Sequence, residues 1–154
     1  MGIKPPPERR QGFEYWKALE VSHAYNELVY YEGNDPEKKQ WPGYGPYAET
    51  DDAIAYIEQH AGGDEPFLLV LAVGAPHFPH NSAPADKQVL FDPDTIVLRD
   101  NVTDEFGEAA KTEAAGYYAH IAALDFAIGK LHAAIERAGI ADDTIFVIHQ
   151  ITAR

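Results

Sequence analysis

The chain has 154 residues, 45% of them hydrophobic, with 12 Lys and Arg against 25 Asp and Glu and a formal net charge of −13. That length suits one domain with a real core, and that charge repels nucleic-acid phosphates and anionic lipid, so neither is expected as a partner. Without a cysteine there can be no disulfide, thiolate zinc site or cysteine nucleophile.

No apolar run approaches the roughly 20 residues needed to cross a bilayer. The opening MGIKPPPERR lacks the apolar core of a secretory signal, so the chain as written reads as cytoplasmic. Residues 1–12 are proline-rich and charged and predict an irregular arm. Residues 12–45 carry Phe13, Tyr15, Trp16, Tyr25, Tyr30, Tyr31, Trp41 and Tyr44, punctuated by Gly33, Pro36, Pro42 and Gly43. Apart from a short strand at 28–31, this segment predicts a loop packed by its own rings. Thr50, followed by Asp51 and Asp52, predicts a helix start, with Ala53, Ile54, Ile57 and Ala61 on its apolar face and Gly62-Gly63 at its end.

Residues 67–73, FLLVLAV, form an unbroken apolar run, which predicts a strand buried on both faces in a parallel sheet. The run gives way to Gly74 and then to Ala75-Pro76-His77-Phe78-Pro79-His80. Ligands bind at the carboxyl ends of strands in open α/β sheets, so His77, held between two prolines, is the candidate site residue. Residues 74–102 form a long excursion with one apolar cluster at 96–98. Tyr117, Ile121, Leu124, Ile128, Leu131 and Ile135 then keep helical spacing and predict a helix over 108–138, capped by Gly139. A second apolar run at 144–148 follows. Strand, crossover helix and strand predict a right-handed βαβ unit with parallel strands.

Other candidates are weaker. Ser82-Ala83-Pro84-Ala85-Asp86 has the outline of a serine nucleophile motif but lacks its structural context. His77 and His80 as a metal pair lack a third ligand, so no metal residue is assigned. His120 and His132 read as surface or boundary residues beside the helical stripe. Asp51, Asp52, Asp142 and Asp143 read as helix-start and turn acids.

Four stretches in order resemble the sulfatases of the alkaline-phosphatase-like superfamily. Residues 12–16, GFEYW, are similar to the family's G-F-D-Y-W segment. Residues 66–79 resemble its P-F-x-L-x-L strand running into P-H-x-P. Residues 117–131, YYAHIAALDFAIGKL, resemble its Y-Y-A-x-I-x-x-L-D-x-x-I-G-x-L helix, and 138–148 resemble the helix exit and following strand. The resemblance implies an α/β class: a partial sulfatase-like fold with a parallel βαβ core and a long crossover helix. It implies one incomplete domain over 1–154, with an irregular aromatic-rich segment at 1–49, the α/β core at 50–148 and a divergent tail at 149–154.

The resemblance also implies a sulfuric ester hydrolase whose nucleophile is a formylglycine made from the cysteine or serine of C-x-P-x-R. Calcium is the implied cofactor, and a sulfate-ester small molecule or glycan the implied partner. His77 matches the P-H-x-P histidine that contacts the sulfate, as substrate-binding and catalytic residue. The nucleophile motif and first metal aspartates would lie before Met1, and Met1-Gly2 is similar to the tail of a K-W-H-M-G stretch. The family strand continues into D-H-G, whereas here 148–154 has no aspartate. Ala75 stands where a proline is common, and Phe126 where a second aspartate often follows Asp125. The chain is therefore expected to be an inactive fragment that supports neither calcium nor formylglycine alone. A phosphodiesterase or phosphonate monoester hydrolase of the same superfamily, or a non-catalytic binding module, is the alternative.

Overall fold

The computed structural model describes residues 7–19 and 22–150. Parts of the expected N-terminal arm and of the tail lie outside these residues. The aromatic segment is more ordered than its composition predicts. Strands β1 (Lys17–Leu19), β2 (Val29–Glu32) and β3 (Lys39–Gln40) form an antiparallel sheet in that order. Ala18 lies opposite Tyr31, and Tyr30 lies opposite Lys39. Val29, Tyr30 and Tyr31 are good strand formers on a half-buried face, and Tyr30 stacks on Trp41 with ring centroids 4.0 Å apart.

The Lys17 ammonium lies over the rings of Tyr15, Tyr30 and Trp41, at 5.1–5.5 Å from their centroids. It also pairs with Asp52, which accepts a second hydrogen bond from the Tyr15 hydroxyl at 2.7 Å. Burial alone would pull this ammonium's pKa down, but its bonds to Asp52 and Tyr15 win and raise it. The sheet is thereby tied to the next helix by a charge that stays on.

That helix, α1 (Gly45–His60), begins five residues before the expected Thr50. Pro46 occupies the first turn, where its missing N–H costs nothing. Thr50 is not a cap: it is buried, and its hydroxyl donates to the Pro46 carbonyl at 2.7 Å. One turn, α2 (Ala85–Gln88), interrupts the long excursion. Helix α3 (Gly107–Arg137) is 31 residues long and matches the expected helix within a residue. It ends as predicted at Gly139, whose φ of +72° suits glycine. Gly139 N–H donates to the Glu136 carbonyl and Ile140 N–H to the Ile135 carbonyl, a Schellman motif with Ile140 packed near Ile135.

The core lies between α1 and α3 and is continued by the sheet. One cluster gathers Ala53, Ile57, Leu131 and Ile135, and the other Tyr25, Leu28, Trp41, Tyr44, Ala48, Ala75 and Ala123. The mixed α/β class and the long helix hold. The two apolar runs differ from expectation. Neither 67–73 nor 144–148 belongs to a hydrogen-bonded sheet among the described residues, and the only sheet there is antiparallel. Leu69, Leu71 and Val73 pack onto the helices, while Leu68 and Val70 are 73% and 62% exposed. Phe146 packs likewise, with Ile145 and Val147 outward. The runs keep the period of two of a strand, but only one face of each finds a partner, and no neighbour supplies a ladder.

Candidate functional site

The loop that follows residues 67–73 is fixed from several sides. His77 N–H donates to the Gly74 carbonyl at 3.1 Å, and the Ala75–Pro76 and Phe78–Pro79 peptide bonds are both cis. The Tyr25 hydroxyl donates to the His77 carbonyl at 2.9 Å from a fully buried ring. Burial, with Glu49 nearby, pushes that hydroxyl up to about 12, so it remains a donor. The His77 ring is exposed. Its Nδ1 donates to the Phe78 carbonyl at 2.9 Å, which fixes the tautomer and leaves Nε2 as the available nitrogen. His23, from the loop after β1, lies parallel to it, with centroids 4.2 Å apart and planes 15° apart.

Beneath the loop lies a histidine expected at the surface or boundary of its helix. His120 is fully buried on α3, in the same patch as Ala119 and Ala123. Its Nδ1 is 2.6 Å from the Tyr44 hydroxyl. Burial first, then Tyr25, Tyr47 and Glu49, raise the Tyr44 pKa, so this hydroxyl keeps its proton and donates. His120 Nδ1 therefore accepts, and Nε2 carries the proton that is bonded to the Pro79 carbonyl. Ser82 Oγ lies 3.4 Å from the same nitrogen and itself donates to Pro79. Burial lowers the His120 pKa against the opposing pull of the Pro79 bond, with His80 adding to the lowering. A neutral, two-handed imidazole thus clamps the loop. Ser82 serves this clamp, which gives the serine outline at 82–86 a structural role.

His80 is held by Glu113 of α3, with Nδ1 and Oε2 2.6 Å apart. A cleft of about 230 Å³ opens beside them, lined by Asn81, Gln88, Thr112 and Gly116 among others. Of the expected site residues, His77 stands at the exposed face of the loop, and the structure adds His23 beside it. No local pattern in the sequence joins these two, since their approach depends on Tyr25 bridging the segments. His120 had a detectable sign: it lies next to the small residues Ala119 and Ala123, which mark a close helix face. His132 is exposed as expected and leans on Phe146.

Calcium takes six to eight oxygen ligands. The loop offers imidazole nitrogens and one carboxylate, Glu113, already bonded to His80. Among the described residues no group of three or more His, Cys, Asp or Glu side chains could hold a metal ion. These residues do not fit the calcium centre that the family resemblance implies. Nor is any helix among them long and apolar enough to cross a membrane.

The family model for the sulfatases matches residues 5–149. The chain is 46% identical over 142 residues to the ulvan-active sulfatase of Formosa agariphila, covering 92% of this chain and 28% of that protein. It is 27% identical over 144 residues to the uncharacterized sulfatase YdeN of Escherichia coli, covering 92% of this chain and 22% of that one. The crystal structure of yidJ from Bacteroides fragilis, a protein assigned as a sulfatase, superposes with a TM-score of 0.78 at 24% identity, over 89% of this chain and 31% of that one. The chain spans less than a third of the length of each of these proteins. Its fold is part of a sulfatase fold, and with the family model matched over nearly all its residues, the chain belongs to the sulfatase family.

Proposed function

We propose that this stretch supplies the sulfate-contacting loop of a sulfuric ester hydrolase, with His77 as the residue that touches the ester. The observation that carries the reading is the fixing of His77. Its carbonyl and Nδ1 are both engaged, and its ring is exposed with Nε2 still available. Protonated, Nε2 can donate a hydrogen bond to a sulfate oxygen or give its proton to the departing alkoxide. The loop needs no rearrangement to do this, because Tyr25, His120 and Glu113 already hold it.

The nucleophile and the calcium centre belong, in this proposal, to segments that the longer relatives carry. A sulfated glycan is the substrate class, and ulvan is the first to try, since the 46%-identical relative is named for it. By itself the 154-residue chain should release no sulfate from an aryl sulfate or from ulvan, even with calcium. Turnover by the chain alone, abolished by His77→Ala, would overturn that statement. In a polypeptide joining this stretch to the segments its relatives add, His77→Ala should lower kcat/KM by about 10²–10⁴-fold with the melt unchanged. An unchanged rate there would remove His77 from the site.

A further inference from the structure

His23 reaches the loop from a distant part of the chain and meets only one group face to face, the His77 ring. Among the described residues its side chain makes no hydrogen bond, and it is exposed. A ring spent on core packing would be covered, which His23 is not. Parallel rings 4.2 Å apart keep their nitrogen lone pairs in two parallel planes. That suits one cation poorly, because a metal needs nitrogens converging at about 2.0–2.1 Å. It suits a tetrahedral oxyanion well, because separate oxygens can take parallel N–H donors. We propose that His23 is a second substrate-binding residue, which presents an N–H to the sulfate group beside that of His77.

This inference rests on the reading of His77 as a sulfate-contacting residue and extends it to a two-imidazole clamp. The tautomer adds a consequence. His77 Nδ1–H is engaged by the Phe78 carbonyl, so Nε2 can donate only when the ring is the imidazolium. His23 can donate as a neutral ring. A donor at His77 Nε2 therefore needs a proton there, and two stacked imidazoliums, which would repel each other, are not required. The surrounding groups leave that proton to the pair. Tyr25 donates to the His77 carbonyl and keeps its own proton, Glu113 is engaged with His80, and His120 is held neutral by burial. In a chain of net charge −13, His23 and His77 offer an anion two imidazoles, while Glu113 is engaged with His80.

The test is a titration of the purified chain with sodium sulfate, with chloride as control at constant ionic strength, read by NMR of the histidine rings. The His23 and His77 resonances should move together with one dissociation constant. Affinity should fall as pH is raised, because the donor at His77 Nε2 exists only in the imidazolium. His23→Phe keeps a ring in the stack and should weaken sulfate binding by about tenfold or more while His77 Nδ1–H stays in place. His23→Gln provides the second variant should phenylalanine disturb the loop. If sulfate moves His77 alone and both variants bind as the parent chain does, His23 is no ligand, and the reading of His77 stands. If neither ring responds, the reading of His77 falls and this inference falls with it.

Discussion

Tyr44 is the side chain on which the most depends in this loop. It sits just before α1, yet its hydroxyl crosses to α3 to reach His120, and His120 in turn holds the Pro79 carbonyl. Removing that hydroxyl would leave the buried Nδ1 of His120 without a donor, which costs about 1–3 kcal/mol. Tyr44→Phe should therefore lower stability by about that amount in a urea melt, while Ser82→Ala, which removes only longer bonds of 3.2 and 3.4 Å, should cost less. Equal losses from both would show that His120 takes its proton arrangement from Ser82 instead. None of this chain of contacts was legible at the level of residues. His77 stood out because prolines bracket it in sequence. His120 was signalled only by the alanines beside it, because a histidine's burial depends on which face of its helix is covered.

At the scale of elements, α3 shows why a helix can be right in place while its buried face is misjudged. The branched residues from Tyr117 to Ile135 set the period and hence the span. The most buried positions are mostly the alanines beside them: Ala119, Ala123, Ala127 and Ala134. Ile121, from the expected stripe, is 41% exposed. Small residues let α1 and the histidine loop approach α3 closely, and periodicity cannot foresee that preference. Gly116 is the tightest glycine on α3. A Cβ there would meet the His80 carbonyl carbon and Cβ at 2.9 Å, and backbone cannot swing aside as a side-chain tip can. Gly116→Ala should thus cost about 1–3 kcal/mol from overpacking, less the roughly 1 kcal/mol that alanine returns in a helix. It should also loosen the His80–Glu113 contact, visible in the His80 ring resonances. Gly129→Ala, on the same helix with nothing within 4 Å, is the control and should stabilise by about 0.5–1 kcal/mol. Destabilisation by both would mean that the effect is not the approach of the loop.

The whole molecule joins two uneven sides. Its helical side was legible in spacing, caps and breakers. On its sheet side only β2, expected at 28–31, was legible; the other runs were not, because an apolar run gives the period of a strand but not the neighbour that would pair with it. Leu68, Val70, Ile145 and Val147 keep that open face. Inside, a half-buried glutamate and a buried histidine set opposing pH slopes on global stability. Glu49 of α1 has a buried Oε2 without a hydrogen-bond partner among the described residues, and burial pushes its carboxyl up to about 7. The folded chain therefore holds this proton more tightly than the unfolded chain, whose glutamate has its ordinary value of 4.5. Its contribution to stability is present below about 4.5 and is lost as pH rises toward 7. His120 works in the other direction. Its folded pKa is lowered, so the unfolded chain takes up a proton first, and stability is lost as pH falls below about 6.5. The two slopes oppose each other across the weakly acidic range. Glu49→Gln removes one slope and keeps the shape. Between pH 5 and 7 the variant should gain on the parent by about 1 kcal/mol per pH unit, in urea melts taken at each pH. A difference that does not change with pH would mean that Glu49 is ionised in the folded chain throughout, and that the loop's neighbour at Tyr25 and Tyr44 is a charge instead of a neutral acid.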